Sequence, residues 1–274
     1  MRLRSLLFVP GNRPDRFTRA EACGADGVVL DLEDGVESSH KDEARRAIEA
    51  FVTREPAQGA KRFVRVNAFA SGWFDQDLEL VGRLGAIAGV VLPKAERAAQ
   101  IEAVARAVDD LAVVPLIETA RGVLNAASIA AAHPAIPAVL FGAEDLSAQL
   151  GIPRTIDGDE LLFARSQVVL AAAAVGADAI DAVFVKLAAP DDLRRDARRA
   201  RSLGFHGKMA IHPDQVPIIN DVFTPTAAEL EGARRIVDAF ERAEAQGEGV
   251  LRLDDQMVDA PIVARARRLL ERAR

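Results

Sequence analysis

The chain has a single cysteine, Cys23, and only 4 histidines among its 274 residues. One thiol forbids an intrachain disulfide and any cysteine cluster for zinc or iron–sulfur, which fits a reducing compartment, so the expected location is cytoplasmic. An excess of positive charge is lacking too. Lys and Arg number 35 against 41 Asp and Glu, a formal net charge of −6. This argues against nucleic acid or an anionic membrane surface as partner, since both reward a basic face. Long apolar runs are also missing. The basic start is followed by apolar residues only from Leu6 to Val9 before Pro10-Gly11, too short for a signal segment and read as a strand. The alanine-rich stretches 126–132 and 171–179 are too short or interrupted to supply the roughly 20 apolar residues of a membrane span. No G-x-G-x-x-G or P-loop string occurs, which removes the usual nucleotide-binding turns.

What is present is the composition of a globular protein. Half the residues are hydrophobic and 28% are charged, with mean hydropathy +0.07, enough apolar material for a large core and not the pattern of a disordered chain. Short runs rich in Val, Ile, Leu and Phe, each followed by Gly, Pro or an acidic residue, read as strands buried on both faces. There are eight: 6–9, 27–32, 62–66, 89–92, 112–117, 138–141, 179–185 and 208–211. Segments of helical pattern lie between many of them, including 13–23, 41–52 and 190–203, and the longer gap before the seventh strand holds an extra loop or short helix. Eight βα units in a row predict a closed (β/α)8 TIM barrel, which occurs as a single domain of roughly 250 residues. A doubly wound open sheet is the competing fold. The expected domains are a catalytic barrel over 1–222 and a C-terminal helical extension over 223–274, with a helix-like run near 226–246 and a final basic helix ending at Arg274. That extension is either a cap on the barrel or an arm reaching a neighbouring subunit.

In a barrel, chemistry belongs to the loops that follow the strands. Strand 2 ends in Asp31-Leu32-Glu33-Asp34, strand 3 carries Arg65 and Asn67, strand 4 leads to Pro93-Lys94, strand 5 to Glu118-Thr119, strand 6 to Glu144-Asp145 and strand 8 to His212-Pro213. Alternation along strand 3 turns Val64 and Val66 toward the helices, and Arg65 and Asn67 toward the barrel interior. A guanidinium there needs an anion: either an internal salt bridge, or a substrate carboxylate or developing enolate oxygen. Glu118 and Asp145 sit on adjacent strands with no histidine or cysteine pair nearby. They suit a hard, oxygen-liganded ion, Mg²⁺ first, unless each merely favours the start of the helix after it. Asp31, Glu33 and Asp34 read either as pocket residues or as a solvated acidic loop. His212 is a general base or a hydrogen-bonding residue. The string Leu193 to Arg199 reads as a solvated helix face, and Phe8 to Asn12 only weakly as a phosphate loop, with Gly11 serving a turn.

Taken in order, LLFVPGNRPDRF, GVVLDLEDGV, VRVN, VVLPKAE, PLIETARGVLNA, FGAEDLSAQLG, GFHGKMAIHPDQVPIIN and DDQMVDAP resemble the citrate lyase β-subunit family, grouped with the HpcH/HpaI aldolases and the malyl-CoA and citramalyl-CoA lyases. The resemblance runs from about residue 3 to 270. It implies a Mg²⁺-dependent (β/α)8 barrel that cleaves a citryl-, citramalyl- or malyl-type thioester, carried by CoA or an acyl-carrier protein, into an acetyl thioester and a 2-oxo acid. By the same resemblance Glu118 and Asp145 would hold the metal and Arg65 would contact substrate. Asp31, Glu33 and Asp34 would line the pocket, and Ile211 and His212 would lie near the CoA. Asp259 would be the catalytic acid/base, supplied to a neighbouring subunit, which makes a homo-oligomer, trimer or hexamer, the expected state. Pyruvate aldolases of the superfamily place a histidine where this chain has Asp34, which favours the thioester lyases. A pyruvate-enolate aldolase and a β subunit dependent on partner chains are the alternatives.

Overall fold

The computed structural model describes residues 3–54, 57, 59–108 and 110–273. Met1 and Arg2, at the start of the expected barrel domain, and Arg274, the expected end of the last helix, lie outside the described residues. Two compact units divide the chain, one spanning Leu3–Phe223 and one beginning at Thr224.

The first unit is a closed barrel of eight parallel strands, β1 (Ser5–Pro10), β2 (Gly27–Asp31), β3 (Lys61–Arg65), β4 (Gly89–Leu92), β5 (Ala112–Ile117), β6 (Ala138–Phe141), β7 (Asp178–Asp181) and β8 (Gly207–Ala210). Each strand pairs with the next, and β8 returns to β1 through Leu6↔Met209. Both faces are buried, so the strands are continuous apolar runs. Leu6, Val29, Phe63, Val91, Val114, Leu140, Ile180 and Met209 fill the interior. Their neighbours Leu7, Val28, Val64, Val90, Val113, Val139 and Ala179 pack outward on the helices.

The eight strands form where the pattern places them, with one sizeable difference. β7 ends at Asp181, four residues short of the expected 185; Val183 lines a cavity and Val185 is exposed, so their hydrophobicity reflects the rim and not the ladder. The long β6–β7 connection holds the helices Ala143–Leu150 and Leu162–Ala174. Between β3 and β4 lies a helix that the pattern reading missed, Phe74–Arg83, which buries Phe74, Leu80 and Val81. Around β7 and β8, Arg165 and Lys208 are enclosed against Asp181 and Asp196, a neutral set consistent with the rule that buried charges are paired.

The second unit contains the helix Ala227–Glu244, started by a capping box between Thr226 and Glu229, and the antiparallel hairpin β9 (Leu251–Leu253) and β10 (Gln256–Val258). The hairpin turns through Asp254 and Asp255, both at positive φ, the backbone that a tight two-residue hairpin requires. The last helix is Ala260–Arg272. Phe240, Val258 and Val263 form this unit's own small core. No described helix is long and apolar enough to cross a membrane.

Candidate active site

The C-terminal ends of β2 to β6 converge on one acidic rim around Arg65. At the end of β2 the Asp31 carboxylate accepts the backbone N–H groups of Glu33 (2.9 Å) and Gly35 (3.0 Å). The loop thus folds over its own carboxylate. A Cβ at position 35 would lie 2.3 Å from Asp31 Oδ2, so only glycine fits. Arg65, the last residue of β3, donates a two-pronged pair to the same carboxylate, Nε to Oδ1 at 2.6 Å and Nη2 to Oδ2 at 2.7 Å. Its Nη1 meets Glu33 Oε2 at 2.9 Å, and its plane stacks near the Phe8 ring. The salt-bridge reading of Arg65 therefore holds in this structure, and the arginine also faces a cavity.

Asn67 corrects the sequence reading. It does not point into the barrel: its backbone and side-chain amides donate to Asp77 Oδ2, at 2.8 and 2.6 Å, on the helix Phe74–Arg83. Strand geometry ends at Arg65, and with it the alternation on which the expectation relied. The Asn67 carbonyl oxygen accepts from Lys41, a residue sequence reasoning passed over. Buried Lys41 spends all three ammonium protons, on the Leu32 and Glu33 carbonyls (2.7 and 2.8 Å) and on Asn67 (2.7 Å), clamping the acidic loop from below. Burial pushes its pKa down. Asp31 and Glu33 are 3% and 4% exposed, so the solvated-loop reading holds only for Asp34, whose side chain is 60% exposed.

Glu118 follows β5 and is 2% exposed. Its Oε1 accepts the Lys94 backbone N–H at 2.9 Å. Asp145 lies in the first turn of the helix Ala143–Leu150. Neither acts as a helix cap: Thr119 caps the helix after β5, and Gly142 stands at the N-cap after β6 with no side-chain bond. Burial first, and then the nearby Asp145 charge, push Glu118 up to about 8, against the pull of Arg65. Arg65 is already occupied by Asp31 and Glu33, so this carboxylate pair is short of positive charge. A hard divalent cation fits that deficit. Among the described residues no cluster of three or more His, Cys, Asp or Glu is arranged for a metal; two carboxylates would leave several positions for water and substrate, a pattern magnesium tolerates. Gly142 allows the approach, since a Cβ there would lie 2.4 Å from Glu118 Cβ and 2.5 Å from Oε2. Nothing in the sequence marked it beyond its place at a strand end.

These groups face a cavity of about 330 Å³. Asp31, Asp34, Arg65, Glu118, Glu144 and Asp145 are among its polar lining, and Phe8 of β1, Leu116 of β5, Val183 beyond β7 and Met209 of β8 form its apolar wall. A second cavity of about 320 Å³ shares Phe8, Pro10, Arg16 and Ile211 with the first and continues to Arg19 and His212. The His212 Nδ1 accepts the Asp214 N–H at 3.2 Å, the hydrogen-bonding role foreseen as the alternative to a base. Gly11 serves a close approach and not a phosphate: its N–H donates to the Asp31 carbonyl at 2.7 Å. In the string Leu193 to Arg199, Arg194, Arg195 and Arg199 pair with Asp221, Asp192 and Asp159 at the surface. Asp259 stands in the second unit as N-cap of the last helix, accepting the Ile262 N–H at 3.3 Å.

A parallel barrel that gathers carboxylates and a braced arginine at its strand ends has the plan of a barrel enzyme. Comparison with known proteins supplies the family. The family model described as HpcH/HpaI aldolase/citrate lyase matches residues 4–213, and the chain belongs to this family of carbon–carbon lyases. It is 40% identical to the citrate lyase subunit beta-like protein of Deinococcus radiodurans over 98% of this chain and 96% of that one. It is 39% identical to the (3S)-malyl-CoA thioesterase of Cereibacter sphaeroides over 98% and 94%. The structure of CitE from Mycobacterium tuberculosis in complex with magnesium, acetoacetate and coenzyme A superposes with a TM-score of 0.84 at 38% identity, covering 99% of this chain and 98% of that one.

Proposed function

We propose that the chain is a Mg²⁺-dependent lyase that cleaves a malyl-, citramalyl- or citryl-type CoA thioester into an acetyl thioester and a 2-oxo acid. The observation that carries this reading is the charge deficit at Glu118 and Asp145 beside an occupied Arg65, inside one cavity with an apolar wall. Relatives whose names or complexes include malyl-CoA, coenzyme A and magnesium support it. Held by Glu118 and Asp145, Mg²⁺ would supply Lewis acidity toward the carboxylate and hydroxyl oxygens of the substrate.

The remaining work falls to the chain's own residues. When the bond between the carbinol carbon and the thioester α-carbon breaks, the alcohol gives its proton to solvent and becomes the carbonyl of the 2-oxo acid, and the electron pair of the broken bond passes to the thioester as an enolate. Arg65, fixed by two carboxylates before substrate arrives, pays no reorganisation cost in facing that moving charge, and preorganised charge is usually the largest catalytic term. The apolar wall of Phe8, Val183 and Met209 keeps water from the carbanionic side. Asp259, supplied by a second copy of the chain in a trimer or hexamer, protonates the enolate carbon. Ile211 and His212, in and beside the shared wall of the two cavities, flank the carrier's path.

The test is an assay of the purified chain alone with Mg²⁺ against malyl-CoA, citramalyl-CoA and citryl-CoA, with EDTA and Asp259→Ala controls. Metal-dependent release of an acetyl thioester and a 2-oxo acid supports the reading. Release of free coenzyme A with the carbon chain intact would replace it with thioester hydrolysis, and silence on all three would favour a subunit dependent on partner chains or an aldolase with a different substrate.

A further inference from the structure

Lys94 stands where the acidic rim is most crowded. It follows β4 in a left-handed conformation, φ 50°, which a non-glycine residue rarely adopts outside functional or over-determined sites. That backbone turns its N–H onto Glu118 Oε1 while its side chain reaches back across the rim. There the ammonium pairs with Glu33, lies 3.1 Å from Asp34 Oδ2 and 3.5 Å from Asp145 Oδ1. One residue therefore touches four carboxylates of the rim, Glu33, Asp34, Glu118 and Asp145. It reaches both expected metal ligands in different ways, Glu118 through the peptide and Asp145 through the charge.

We propose that Lys94 is a tethered cation that competes with the divalent ion for Asp145 and so sets how tightly the site holds its metal. The inference rests on the reading that Glu118 and Asp145 bind that ion. An ammonium within 3.5 Å of a ligand oxygen neutralises part of the charge that attracts the metal, and must withdraw toward Glu33 and Asp34 when the metal arrives. Those two carboxylates give it somewhere to go, so the exchange needs no larger movement. The peptide N–H meanwhile keeps Glu118 in place whichever cation is present, and no side-chain substitution removes it.

The measurement is calorimetric titration of the purified full chain with Mg²⁺ alone, for wild type, Lys94→Met, Lys94→Gln and Lys94→Arg, with thermal unfolding of each in EDTA and in saturating Mg²⁺. Loss of the competing charge in the Met and Gln variants should tighten Mg²⁺ binding by roughly tenfold or more. Each should also show a larger Mg²⁺-induced rise in Tm than wild type, because the metal then relieves carboxylates left without a counter-ion. Lys94→Arg, which keeps the charge, should stay within about threefold of wild type. Unchanged or weaker binding in both neutral variants overturns the proposal and leaves Lys94 as a brace for the rim. Absence of Mg²⁺ binding by the wild type is a separate result that removes the metal site itself.

Discussion

Gly142→Ala tests the site with the smallest possible change. The residue has φ −102° and ψ 108°, a backbone open to any amino acid, so the methyl group adds no conformational strain and acts only by its volume. Its Cβ would lie 2.4 Å from Glu118 Cβ and 2.5 Å from Glu118 Oε2, against ordinary contacts of roughly 3.5 Å, so about 1 Å must be found. The backbone of Gly142 cannot supply it, because Gly142 donates to the Ile117 carbonyl at 2.9 Å inside the barrel wall. Glu118 therefore has to move, its Cβ together with the backbone just after β5, and moving strains its bond from Lys94. Overpacking costs about 1–3 kcal/mol and the weakened hydrogen bond about 1 kcal/mol more, so the expected loss is about 2–4 kcal/mol of unfolding free energy, read as a lower urea midpoint at unchanged slope. A displacement of about 1 Å at a reacting centre costs roughly a hundredfold in rate, so kcat/KM should fall by at least that factor while circular dichroism stays native. A variant within about 0.5 kcal/mol of wild type that retains full metal affinity would refute the reasoning, because it would mean Glu118 is not pinned where the structure puts it.

Three further outcomes follow from the same geometry. Glu118 has a folded pKa of about 8 against an ordinary 4.5, so its contribution to stability is complete below the lower value and is lost as pH rises through the higher one; in EDTA the unfolding free energy should fall between those limits, and Glu118→Gln should flatten the fall. Asp259→Asn keeps a good N-cap at the last helix whereas Asp259→Ala costs about 0.5–2 kcal/mol there, yet both should abolish turnover, which separates capping from proton transfer in a parallel stability and activity measurement. Arg62 is enclosed against Glu21 and stacked on Phe51, away from the acidic rim, so Arg62→Met should cost about 3–5 kcal/mol by leaving a buried carboxylate without its cation, with activity per folded molecule unchanged in a urea-calibrated assay.

The barrel was legible because burial on both faces writes each strand as an unbroken apolar run, and β4, β5 and β6 occupy the residues their runs mark. The same signal overran at β7, where Val183 and Val185 are apolar for reasons of pocket and surface. Asp31, Arg65, Glu118 and Asp145 were legible as a set because ionisable residues immediately after buried strands have few structural reasons to be there. Lys41 was not. It sits in a charged run at the start of a helix, where lysine ordinarily faces water, and only the three acceptors brought together by the β2 and β3 loops give it a buried role. Gly142 was hidden for a similar reason, and Lys94 was legible only as a charged group after β4: the close approach of Glu118 to one and the left-handed turn of the other depend on strands that are adjacent in space and distant in sequence.

The rim is divided by sector. Its carboxylates, Arg65 and Lys94 belong to the ends of β2 through β6, whereas Phe8, Val183 and Met209 of the apolar wall belong to β1, the segment after β7, and β8. Phe8, Val183 and Met209 carry no charge of their own, so exchanging one apolar side chain for another alters the shape of the cavity and leaves the carboxylates and Arg65 chemically unchanged. Phe8, Val183 and Met209 are thus a place where substrate preference can drift while bond-breaking capacity is conserved. A lineage built on this frame could change what it consumes through three uncharged positions, which is one physical route by which close relatives come to act on different molecules.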